Sequence, residues 1–215
     1  CNVYIAQPPL YKIQRGKHSE YVDTEERMSE ILLELGLEDA EIVRATDKYV
    51  YTKSQIKELL DVLLELENIE RSINKKGVNF QKYILLRHSK TKKVPIYMVK
   101  VESNTHFIYS DEELAKITKL YEGNGKNKKK EENGQVKENG HKADLNIIEF
   151  FEASELEKLI NRIEKFGLDS GSYDTGEGQK GKRQAIFNVV NEKERISLAS
   201  LKELLSYIRS LGKKG

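Results

Sequence analysis

The sequence predicts an α+β fold: a mostly antiparallel or mixed sheet with amphipathic helices packed on it, plus two long mobile loops. Three observations carry this expectation. Short β-branched or aromatic runs alternate with Leu-rich stretches along the chain. In each Leu-rich stretch the apolar residues recur at three-to-four spacing on one face, so each helix needs a surface to dock on. Two segments are almost devoid of apolar side chains and cannot offset their chain entropy by burial.

Val3-Tyr4-Ile5-Ala6 reads as a buried strand, stopped by Pro8-Pro9. Leu10 to Ile13 resumes extended character, Arg15-Gly16-Lys17 forms a turn, and Glu20-Tyr21-Val22 is the returning arm of a hairpin. Asp23-Thr24 caps a helix through Met28, Ile31, Leu32 and Leu35, which Gly36 is expected to end. Tyr49 to Thr52 leads into the longest helix, with Ile56, Leu59, Leu60, Leu63, Leu66, Ile69 and Ile73 on its buried face. Pro95 to Val101 and Phe107 to Tyr109 read as strands. Ser110 and Glu113 then have the spacing of a capping box before Leu114, Ile117 and Leu120. Asn146 to Phe151 precedes a helix closed near Gly167. Ala185 to Val190 and Arg195 to Ser197 precede the last helix, expected to close at Gly212. The two expected loops are Gly123 to Lys142 and Ser170 to Lys182, the second with Tyr173 as its only large side chain.

Composition narrows the function classes. The 215 residues carry 37 basic and 35 acidic side chains, a net charge of +2 that does not advertise a nucleic-acid binder. Cys1 is the single cysteine, which excludes an intrachain disulfide and a thiolate zinc site and fits a reducing cytoplasm. His18, His88, His106 and His141 are scattered, without metal-ligand spacing. No apolar run approaches the ~20 residues of a membrane span, and no secretory leader is expected. The chain opens without Met on a strand-like run, as a segment of a longer protein would.

No catalytic constellation emerges. Glu25-Glu26 and Asp111-Glu112-Glu113 fall in first helical turns, where negative charge favours the helix dipole. Gly123-Asn124-Gly125 and Gly176-Glu177-Gly178 neither follow a buried strand nor open a helix, so they do not read as phosphate cradles. Basic residues cluster three times: Lys12, Arg15 and Lys17 on the hairpin; Lys75, Lys76, Arg87, Lys90, Lys92 and Lys93 before the Pro95 strand; and Lys126 to Lys130. Each is a candidate for phosphate contact set against the plain reading of solvated surface lysines, and acidic neighbours dilute the third.

The run Val3-Tyr4-Ile5-Ala6-Gln7-Pro8-Pro9-Leu10-Tyr11-Lys12 resembles a signature of bacterial type IIA topoisomerase B subunits, from the second half of their TOPRIM domain. The Arg15-Gly16-Lys17 turn, the Glu20-Tyr21-Val22 strand and the Thr24-Glu25-Glu26 helix start are also similar to that family. The long α+β stretch that follows is similar in layout to gyrase B subunits with a large TOPRIM insertion. Phe151 to Lys158 and Glu164 to Leu168 resemble the later part of such insertions. The resemblance implies residues 1–35 as the C-terminal part of TOPRIM, 36–212 as the insertion domain and 213–215 as the return to TOPRIM. It implies a parent enzyme that supercoils DNA with ATP and Mg²⁺ and a gyrase A subunit as partner. The family's metal-binding carboxylates would precede this region, leaving it non-catalytic and inactive alone, an accessory to DNA binding and domain arrangement. The DNA-binding residues it suggests are Lys12, Arg15 and Lys17, with no catalytic or metal residue. A self-contained protein-interaction module, or the B subunit of topoisomerase IV, is the alternative.

Overall fold

A computed structural model describes residues 11–15, 18–101, 104–124, 145–174, 184–191 and 194–214. The expected Val3–Ala6 strand, Lys17, and most of both expected loops lie outside these residues. Among the described residues, no helix is long and apolar enough to cross a membrane.

Strand β1 (Tyr11–Arg15) pairs antiparallel with β2 (His18–Val22), in a register that closes on Arg15 opposite His18. The expected hairpin therefore forms. Helix α1 (Glu25–Leu37) follows, its first turn capped by the Thr24 hydroxyl, which accepts from the Arg27 amide at 3.2 Å. Beyond it come β3 (Glu41–Arg44), α2 (Lys53–Lys75) and a short α3 (Phe80–Leu85). Next are β4 (Tyr97–Val101), β5 (Asn104–Ile108), α4 (Asp111–Asn124), β6 (Leu145–Glu149) and α5 (Ala153–Lys165). The chain ends on β7 (Phe187–Val190), β8 (Arg195–Leu198) and α6 (Leu201–Lys214).

The fold is α+β as expected. Among the described residues every pairing is antiparallel, and the strands divide among three small sheets of order β1-β2, β3-β7-β8 and β5-β4-β6. Tyr49 to Thr52 contributes only an isolated bridge, Val50 to Val43, because the chain turns there into α2. Part of the second expected loop is ordered. Ser170–Ser172 forms a 3-10 turn capped by Asp169, Tyr173 is buried, and the Tyr173 carbonyl accepts from the Lys202 amide at 3.0 Å.

Two compact units result: residues 1–65 with 163–215, and residues 66–162. In the first unit the buried residues include Ile42, Ile56, Leu59, Leu63, Phe187, Val189, Leu204 and Ile208. Here α1 packs on α6 through two glycines. A Cβ added at Gly36 would lie 2.1 Å from the Ile208 carbonyl oxygen, and one at Gly212 would lie 2.0 Å from the Leu32 carbonyl oxygen. Both glycines sit inside their helices, one and two residues before the ends, so their role differs from the expected helix-ending cap. They remove side chains where two backbones touch. Gly167 does behave as expected: its φ of 73° ends α5 in the left-handed conformation.

The same unit holds an arginine knot. Arg44 donates to both Asp47 carboxylate oxygens (2.8 and 2.6 Å) and to the Phe166 carbonyl (2.7 Å), which also accepts from the Tyr51 hydroxyl at 2.9 Å. The Tyr49 and Tyr51 rings lie 5.2 and 5.8 Å from its guanidinium carbon. Bidentate hydrogen bonding from Arg44 lowers the Asp47 pKa from 3.8 to about 2. Since this folded-state value lies below the unfolded one, the stabilisation is complete above the unfolded pKa and is lost as pH falls through about 2. An NMR titration of the Asp47 carboxyl should find a midpoint near 2, moving back toward 3.8 when Arg44 is replaced by Ala.

In the second unit, the buried Val99, Val101 and Ile108 of the β5-β4-β6 sheet pack with Leu114, Ile117 and Tyr121 of α4. Phe80, Tyr83, Phe150, Leu156 and Ile160 are buried in this unit too, and the Tyr83 hydroxyl donates to the Pro95 carbonyl at 2.5 Å. A polar cluster joins α2 to the start of α5. Lys76 pairs with Glu152 at 2.6 Å, and the Ser72 hydroxyl donates to the same carboxylate. Burial alone would raise the Glu152 pKa, but the Lys76 and Ser72 donors outweigh it and hold the group below the usual carboxylate value.

Candidate nucleic-acid interface

The hairpin, α1 and α6 of the first unit enclose a cleft of about 730 Å³. Met28, Leu32 and Leu35 line it from α1, while Lys12, Arg209 and Lys213 bring positive charge from β1 and α6. Glu25 is the carboxylate on this lining, and the Tyr11 hydroxyl donates to it at 3.3 Å. The neighbouring Glu25 charge, with some burial, raises the Tyr11 pKa. Period-two alternation sets which residues share a face here. Lys12 is exposed and its ammonium stands 5.8 Å from the centre of the exposed Tyr21 ring, directly across the ladder.

Of the three hairpin cations singled out in the sequence, the structure thus places Lys12 in solvent at the cleft. Arg15 ends β1 at a position that alternates with Lys12 along the strand. Lys17 lies outside the described residues. Arg209 and Lys213 were not among the sequence candidates, because they are separated from the hairpin by almost the whole chain. The expected cation Lys76 is instead committed to Glu152 and lies 5.4 Å from the centre of the Phe151 ring. Lys126 to Lys130 lie outside the described residues. Among the described residues, no three His, Cys, Asp or Glu side chains converge into a group that could hold a metal ion.

The cleft lies beside β1, whose Tyr11 and Lys12 are the last two residues of the ten-residue run that carries the sequence resemblance. The DNA gyrase B subunit of Chlamydia pneumoniae is 26% identical over 216 aligned residues, covering 99% of this chain. Over nearly its whole length, the chain is similar to the B subunit of DNA gyrase. The Chlamydia muridarum gyrase B subunit gives 25% identity over the same share of the chain. The type 2 topoisomerase B subunit of Aquifex aeolicus gives 32% over 84 residues, 39% of the chain. No protein-family profile matches the chain. The chain spans about a quarter, 24%, of the length of each of the two chlamydial gyrase B subunits. Likeness to gyrase B therefore extends through both units, well beyond the opening run that carries the sequence resemblance.

Proposed function

We propose that this chain is a non-catalytic part of the B subunit of an ATP-dependent type II DNA topoisomerase, DNA gyrase, where it helps to hold DNA and adjoining domains. The supporting observation is the likeness to gyrase B subunits along 99% of the chain, joined to a chain that spans only 24% of their length. In this reading ATP and Mg²⁺ are bound by other parts of the parent subunit. The partners are duplex DNA, the gyrase A subunit and the remaining gyrase B domains, and the location is the cytoplasm. The hairpin residues Lys12, Arg15 and Lys17 meet DNA phosphates, which gives affinity without sequence preference. Lys12 contributes from the rim of the cleft, beside Arg209 and Lys213.

Replacing Lys12, Arg15 and Lys17 by Gln in the intact subunit should weaken duplex binding equally across sequences. The log–log dependence of affinity on salt should become shallower by about 2–3, the effect of losing roughly three phosphate contacts. Unchanged affinity and an unchanged slope would make the hairpin purely architectural.

A further inference from the structure

From Arg71 to Val101 the chain carries nine Lys and Arg residues and no Asp or Glu, although the whole sequence sums to only +2. This stretch of the second unit is therefore strongly net positive because acidic residues are missing from it, and the rest of the chain is net acidic. Three of the nine have structural duties. Arg71 pairs with Glu67 along α2 at 3.8 Å. Lys76 pairs with Glu152, and Arg87 braces a turn, donating to the Lys92 carbonyl at 2.9 Å and to Asn161 at 2.8 Å.

That turn is firmly built. The His88 amide donates to the Lys93 carbonyl and the Lys92 amide to the His88 carbonyl, both at 2.8 Å, and the Thr91 amide donates to the His88 ring at 3.2 Å. Val94, buried next to it, donates its amide to Glu157 of α5 at 3.0 Å. Residues 88–93 are nonetheless all exposed. Lys75, Lys82, Lys90 and Lys93 make no ion pair among the described residues. Glu157 is the carboxylate that faces the turn, and Lys158 and Arg162 follow it on the same helix.

We propose that the Arg87–Lys93 turn is a binding surface for the phosphate backbone of duplex DNA, separate from the hairpin. A turn already fixed by its own hydrogen bonds loses little conformational freedom on binding. Its lysines alternate with Ser89 and Thr91, whose hydroxyls donate to phosphate oxygens as the ammonium groups do. Residues 88–93 include no large aliphatic or aromatic side chain of the kind that enters a bilayer. The choice of duplex DNA as the polyanion rests on the gyrase B reading above. The location of the surface does not.

The experiment uses the 215-residue chain and a fluorescent random-sequence duplex, with anisotropy measured across a salt series. Replacing Lys90, Lys92 and Lys93 together by Gln should lower affinity at least about tenfold at low salt. It should also make the log–log slope shallower by about 2.7, with unchanged thermal melting because the side chains are exposed. Lys12→Gln is measured alongside. Loss in the turn variant alone supports the turn and removes the hairpin from DNA contact. Loss in the Lys12 variant alone overturns the turn proposal and leaves the hairpin reading standing. No binding by the parent chain at the lowest salt, or no change in either variant, also overturns the turn proposal. Competition by polyglutamate as effective per charge as by duplex would identify an acidic protein as the ligand, and likewise overturns it.

Discussion

Gly36→Ala is expected to destabilise the protein by about 3 kcal/mol, the upper part of the range for overpacking a close contact. The new methyl carbon would sit 2.1 Å from the Ile208 carbonyl oxygen, and helical backbone atoms cannot swing aside as a side-chain tip can. The two helices must separate by about an ångström, which loosens every side chain packed along them. Thermal melting should fall by roughly 6–12 °C for a chain of this size. Gly212→Ala should behave similarly, since its methyl would meet the Leu32 carbonyl at 2.0 Å. The double variant should lose clearly less than the sum of the singles, because one separation of α1 from α6 relieves both clashes. Melting of either single variant within about a degree of the parent would show that the helices are not in backbone contact.

The second large effect is expected at Arg44. Arg44→Ala removes one donor from the part-buried Phe166 carbonyl and the guanidinium packed beside the Tyr49 and Tyr51 rings, a loss of about 1–2 kcal/mol, while the exposed Asp47 carboxylate stays solvated. Arg44→Lys should recover little of it. An ammonium has no planar fork to hold Asp47 and Phe166 together, and it packs less well against the Tyr49 and Tyr51 rings. Gly167→Ala tests the same knot from the other side, since its Cβ would fall 1.9 Å from an Arg44 nitrogen at a φ of 73°. Urea titration of the three variants checks the order. An Arg44→Lys chain as stable as the parent would reduce the knot to a surface ion pair.

What the sequence reveals here follows the reach of the interactions concerned. Helices α1, α2, α4, α5 and α6 were legible because a one-sided apolar stripe is a local property of consecutive residues. The capping pair also held: the Glu113 amide donates to Ser110, and Glu113 accepts from the Tyr109 amide. Helix α3 was missed, since six residues of Phe-Gln-Lys-Tyr-Ile-Leu are too few to show a period. Strand β3 was missed for the same reason, being four residues whose partner, β7, lies far along the chain. Gly36 and Gly212 look like helix stops in one dimension. Their real partners are carbonyls on a helix from the opposite end of the sequence. The candidate interface divides in the same way. Lys12 was found because it lies in a recognisable run, whereas Arg209 and Lys213 reach the cleft only through the α1–α6 pairing. Lys76 looked available until Glu152, 76 positions away, was seen to hold it.

The discontinuity of the first unit has a consequence for how the chain is made. Residues 66–162 form a continuous compact unit, whereas the other unit combines residues 1–65 with 163–215. On a ribosome the hairpin, α1 and β3 emerge before residues 66–162, and β7, β8 and α6 emerge after them. Until then α1 has no partner for its glycine face, and β3 lacks the strand that completes its sheet. The continuous unit can condense during synthesis, while the discontinuous one must wait for loop closure across most of the chain. Nascent chains arrested before Leu201 should therefore show a protease-resistant core from residues 66–162 and protease-sensitive α1 and β3 ahead of it.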